Sequence, residues 1–104
     1  MSRAEKMRAA LRHGERFVVL PKQGLPLTLT TPPSCDEIVA GGGECVNSGS
    51  QLGFLPYGGT LATSPSAACK LILNRDGQTN EWNGPRHLFV ERDGAWTSYK
   101  ALTG

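Results

Sequence analysis

The sequence predicts an α+β fold in which an N-terminal helix packs on antiparallel β-sheet, arranged as a small β-sandwich. Three observations carry that expectation. The first sixteen residues read as one short, capped, basic helix followed by a glycine. The 13 glycines and 7 prolines indicate a chain that turns often. The remainder breaks into short apolar runs separated by turn signals. At 104 residues the chain suits a single domain, residues 1–104.

Within that domain, residues 1–14 are expected to be helical and 15–104 β-rich. Ser2 followed by Glu5 is a capping box, in which the hydroxyl takes a backbone N–H and the carboxylate reaches back to the cap. Ala4, Met7, Ala10 and Leu11 then fall at helical spacing and form the expected packing face. Basic residues in the last turn suit the negative end of the helix dipole, and Gly14 is the natural stop. A helix of this length is below the roughly 12–15 residues at which isolated helices become marginal, so it must dock or continue.

"RFVVLP" reads as a strand ended by Pro21. In "LPLTLTT" Leu25, Leu27 and Leu29 alternate with Thr28 and Thr30, and Pro26 suggests an edge position. Residues 31–50 lack periodicity and are expected to form a long loop rich in cysteine and glycine. "QLGFLPYGGTLATS" reads as a hairpin turning at Gly58-Gly59, and "ACKLILNRDGQTNEW" as another turning at Asp76-Gly77. Further turns at Asn83–Pro85 and Arg92–Gly94 flank "RHLFVE" and precede "AWTSY". About seven strands are expected in hairpin order.

Three cysteines permit one disulfide and one thiol. Cys35 and Cys45 bracket "CDEIVAGGGEC", a polar loop that a cross-link would restrain, and this favours a Cys35–Cys45 bridge in an oxidising compartment. Three reduced, buried thiols and a pairing through Cys69 are the alternatives. No run approaches the roughly 18 apolar residues of a membrane span.

Charge is uneven. The first 16 residues hold five Arg/Lys and two Glu, while the rest of the chain is close to neutral. A charged helix face of this kind is commonly solvated. "RHLFVERDGAWTSYK" interleaves Arg86, His87, Arg92, Trp96 and Lys100, the mixture of cations and aromatics that suits nucleic-acid binding. Glu81, Glu91 and Asp93 among them favour a core tryptophan with edge charges instead. "NRDGQTNE" offers Asn74, Asp76 and Glu81 as oxygen ligands, but Ile72 occupies the place where a calcium loop needs an acid, so a hairpin turn is expected.

Catalytic signatures are weak. Cys69 or a loop cysteine with His13 or His87 would make a nucleophile and base, yet neither histidine neighbours a cysteine in sequence. No C-x-x-C or H-x₃₋₅-H spacing occurs, and "AGGGE" is followed by no lysine. No enzyme activity, cofactor or metal is expected.

The order "MRAALRHGERFVVLP" resembles the junction of helix and β-domain in minor pilins and pseudopilins of type IV pilus and type II secretion systems. The T-type and H-type branch is the nearest likeness. Matching positions are Arg8, Ala9, Ala10, Arg12, Gly14 and Phe17–Leu20, with Phe54, Pro56 and Gly58 as a second, strand-and-turn likeness. The resemblance implies a non-enzymatic filament subunit of the periplasm, cell envelope or extracellular filament. Its partners would be other pilin subunits, and its β-domain the recognition surface. It further implies that residues 1–14 are the stump of a longer, membrane-anchored helix, since the apolar half of such a helix lies outside these 104 residues. The alternative function is DNA binding, as in a DNA-uptake receptor pilin. That reading uses the basic and aromatic C-terminal residues.

Overall fold

A computed structural model describes residues 2–74 and 80–104. The expected α+β class holds. Helix α1 (Arg3–Ala10) leads into β1 (Arg16–Val19), followed by α2 (Cys35–Gly41), β2 (Gly42–Asn47) and β3 (Leu52–Pro56). Then come α3 (Pro65–Leu73), the single turn α4 (Gly84–His87), β4 (Leu88–Arg92), β5 (Ala95–Ser98) and α5 (Tyr99–Thr103). The strands form one antiparallel sheet in the order β3-β2-β1-β4-β5. Helices, rather than a second sheet, supply the other layers among the described residues.

β1 lies at the centre, with Phe17 between Gly43 and Val90 and Val18 between Gly42 and Phe89. Both faces of this centre are covered. On one face Phe17, Val19, Cys45, Phe54, Leu88 and Val90 meet Met7 and Leu11 from the α1 segment, Ala68 and Cys69 of α3, and Tyr99 of α5. On the other, Val18, Leu20, Phe89 and Trp96 lie under Leu25, Leu29 and Ile38. Double coverage is why "FVVL" and "LFV" are unbroken apolar runs and not alternating ones. Phe17, Phe54 and Tyr99 join edge to face, with centroids 5.4 and 5.9 Å apart.

The Ser2 capping box forms as expected: Ser2 Oγ accepts the Glu5 N–H at 3.1 Å, and the Ser2 N–H donates to Glu5 Oε1. Met7, Ala10 and Leu11 are buried, whereas Ala4 is exposed and drops out of the expected face. The helix ends at Leu11 and not at Gly14, because Gly14 and Glu15 already pair with Cys45 of β2.

Three segments depart from expectation. Residues 31–50 are not a loop: Ser34 and Glu37 form a second capping box that starts α2, and β2 follows at once. Gly43 makes that strand possible, since a Cβ there would collide with the Leu55 carbonyl of β3. The stretch 25–31 contributes only one bridge, Thr28 to Thr97, on the outer edge of β5, as a proline-bearing edge segment must. The second expected hairpin is α3 instead. Ser64 Oγ accepts the Ala67 N–H at 3.0 Å, Pro65 occupies the first turn, and Ala68, Cys69 and Ile72 face the core. Its expected turn at Asp76-Gly77 lies outside the described residues. The hairpin at 51–64 forms in reduced form, with Phe54 and Ala62 exchanging both backbone bonds. Asp93 and Gly94 take positive φ (53° and 81°) in the tight β4–β5 turn.

The Cys35–Cys45 bridge does not form, and all three thiols are free. Cys45 points into the helix-covered core, while Cys35 is exposed on α2, which covers the opposite face. Burial pushes the Cys45 and Cys69 thiols up to about 12.

Candidate functional site

The residues gathered in sequence around the C-terminal strands are not gathered as a surface. Arg92 turns inward, where its Nη2 donates to Glu15 Oε1 at 2.6 Å and to the Ala10 carbonyl at 2.6 Å. That pairing holds the guanidinium above its ordinary value, chiefly through the hydrogen bond to Glu15. Trp96 is 5% exposed in the core, with the Arg16 guanidinium 5.5 Å from its ring centroid. Arg16 is itself held by both oxygens of Glu91 at 2.9 Å. His87 is 6% exposed, and its Nδ1 lies 2.9 Å from the Leu20 carbonyl. A carbonyl only accepts, so Nδ1 carries the proton. Only Arg86 and Lys100 of the five expected binding residues are exposed.

The oxygen ligands of the "NRDGQTNE" stretch are engaged elsewhere. Asn74 Oδ1 accepts the Trp82 Nε1–H at 2.8 Å, and Glu81 pairs with Lys70. Asp76 lies outside the described residues. Among the described residues no histidine, cysteine or carboxylate cluster has the makings of a metal site. Neither histidine bonds to a thiol: His13 Nδ1 accepts the Asn47 N–H instead.

Among the described residues a concavity lies on the helical side. A groove of about 770 Å³ runs between α1, the β2–β3 turn, the start of α3 and α5. Its positive wall is α1. Because Met7, Ala10 and Leu11 face the core, Arg3 and Lys6 are left outside, at the groove's rim. Arg8 is positioned more firmly, its Nη1 donating to Asn47 Oδ1 at 3.1 Å and to the Ser48 carbonyl at 2.8 Å. Asn47 Nδ2 in turn donates to the Arg8 and Leu11 carbonyls, both at 2.9 Å, and so closes the C-terminal end of α1.

The opposite wall is uncharged and mixes polar side chains with the apolar Leu52, Pro65, Pro85 and Tyr99. Ser50 and Gln51 come from the β2–β3 turn, Thr63, Ser64 and Ser66 from the start of α3, and Thr103 from α5. The α3 N-terminus directs the positive end of its dipole to this side. No aspartate or glutamate lines the groove, and Arg3, Lys6 and Arg8 have no carboxylate partner among the described residues. Such a lining attracts anions and repels none.

The basic charge of the first turns is legible in the sequence, but the binding surface expected at the C-terminal strands is not where these cations lie. A second signal was present in "TSPS", a helix start with Ser at the cap and Pro behind it. Nothing in the sequence brings those two segments together. The sheet does so, by seating α1 and α3 on the same face. Comparison with known protein families, curated proteins and solved structures finds no match to this chain.

Proposed function

We propose that this chain is a non-enzymatic binding module for nucleic acid, held mainly through the phosphate backbone in the groove beside α1. The observation that carries the reading is the groove itself, with three cations on one wall, hydroxyls on the other and, among the described residues, no carboxylate between them. Phosphate diesters suit such a lining, because their charge is permanent and repeats along a chain. The two buried thiols give catalysis no support, since burial pushes Cys45 and Cys69 up to about 12, far from a reactive thiolate at neutral pH.

The alternative reading, a filament subunit of a type IV pilus or type II secretion system, makes α1 the end of a longer helix; the free cations of the groove favour the binding reading.

The deciding experiment is a salt titration of oligonucleotide binding. Three phosphate contacts to a single strand give a log–log slope of about −2. Replacing Arg3 and Lys6 together with alanine should remove most of that slope. Absence of binding at low salt, or binding indifferent to both salt and the double substitution, would refute the proposal.

A further inference from the structure

A second hollow adjoins the groove. It has a volume of about 130 Å³, room for about four waters at about 30 Å³ each, and lies between the 22–27 segment, α4 and the end of β5. Two pairs of consecutive residues link the two concavities. Pro85 lines the groove and Arg86 the hollow, while Tyr99 lines the groove and Ser98 the hollow. A ridge made of α4 and the β5–α5 junction is therefore all that separates them.

The hollow repeats the groove's chemistry on a smaller scale. Its polar lining is Lys22, Gln23, Asn83, Arg86 and the buried His87 and Ser98, again with no carboxylate among the described residues. Arg86 is exposed and has no carboxylate partner among the described residues. Asn83 occupies the cap position of α4 without a side-chain capping bond, and its amide has no hydrogen-bond partner among the described residues. Lys22 shares Glu37 at 3.2 Å in an exposed pair, the kind that contributes little and rearranges readily.

The two concavities face different sides of the sheet. Tyr99 belongs to the core under α1, α3 and α5, whereas Ser98 pairs with Phe89 of the opposite layer. A ligand that occupies both must bend across the ridge. A single strand bends freely over a few nucleotides, whereas a duplex is stiff over roughly 150 base pairs.

Building on the groove as a phosphate site, we infer that the hollow at Arg86 seats a further phosphate of the same strand, so that the ligand is single-stranded and crosses the α4–α5 ridge. The groove alone takes a short oligonucleotide. Arg86 is engaged only when the strand is long enough to reach over the ridge.

Fluorescence anisotropy at low salt tests this with oligothymidylates of two, four, eight and twelve nucleotides, a twelve-base-pair duplex and inorganic phosphate as competitor. The proteins are wild type, Arg86→Ala and Lys6→Ala, each checked for an unchanged melting temperature. Arg86→Ala should weaken the twelve-nucleotide ligand about tenfold and reduce its salt slope by about 0.7, while leaving the shortest binding ligand unaffected. Lys6→Ala should weaken every length, and the duplex should bind more weakly than the single strand. If Lys6→Ala weakens binding but Arg86→Ala is silent, or acts equally at all lengths, the second seat is overturned and the groove reading survives. Duplex binding as tight as single-strand binding likewise overturns the crossing. If no oligonucleotide binds, both fall.

Discussion

Removing Arg92 should destabilise this domain more than removing any other cation, although the residue lies in a segment that reads as surface. The side chains of Arg92 and Glu15 are each 16% exposed. Arg92 Nε lies 3.2 Å from both Glu15 oxygens, and Nη2 makes two 2.6 Å bonds, one to Glu15 and one to the Ala10 carbonyl at the end of α1. The guanidinium thus ties α1, the entry to β1 and the end of β4 at one point. Arg92→Ala leaves a largely buried carboxylate without its counter-charge. Breaking a fully buried pair costs about 3–5 kcal/mol, and the residual exposure reduces this to about 2–3 kcal/mol. For a domain of this size that is a fall in melting temperature of about 10 °C. The exposed pair Arg16–Glu91, with side chains 45% and 33% exposed, provides the contrast at under about 1 kcal/mol. Urea unfolding of Glu15→Ala, Arg92→Ala and the double variant measures the coupling directly. The double variant should be more stable than additivity allows by about 1–2 kcal/mol. A cost below about 0.5 kcal/mol for Arg92→Ala, or strict additivity, would refute the reasoning.

Other expectations follow from the same packing. A thiol count with an aromatic disulfide reagent should give one fast-reacting group, Cys35, under native conditions and three in denaturant; two native-state fast thiols would contradict the burial of Cys45 and Cys69. Gly43→Ala should cost about 1–3 kcal/mol in urea unfolding, because the new methyl meets the Leu55 carbonyl and β3 must shift; a neutral result would show that β3 is not held where it lies. The Ser34 N–H, and after it Lys22, hold the Glu37 carboxyl below the usual glutamate range. A folded-state value below the unfolded one gives stability that is present above the unfolded value and lost as pH falls through the folded one. Glu37→Gln should therefore flatten the acid limb of the stability profile and leave the alkaline limb unchanged, and equal acid limbs would refute the cap.

Local signals in the chain were legible where one segment carries its own instruction. The Ser2–Glu5 box, the apolar run of β1 and the Asp93-Gly94 turn all form as their residues dictate. The second box, Ser34–Glu37, was equally readable but was masked by the glycines and cysteines around it. "CKLILN" was ambiguous in a different way, since six residues with two leucines and an isoleucine fit a strand or a buried helix equally well. Only the upstream cap at Ser64 and Pro65 decides between them.

By itself the sequence determined an α+β domain with a capped basic helix at its start and a doubly apolar central strand, because caps, turns and periodicity act over a few residues. Which charges stay free was decided in three dimensions. Arg92 and Arg16 are neutralised by Glu15 and Glu91, residues 77 and 75 positions away in sequence, while Arg3, Lys6 and Arg8 face hydroxyls of α3 and α5 across a groove. A charge is made available or neutralised by what lies within a few ångströms of it, and in this fold those neighbours come from the far end of the chain.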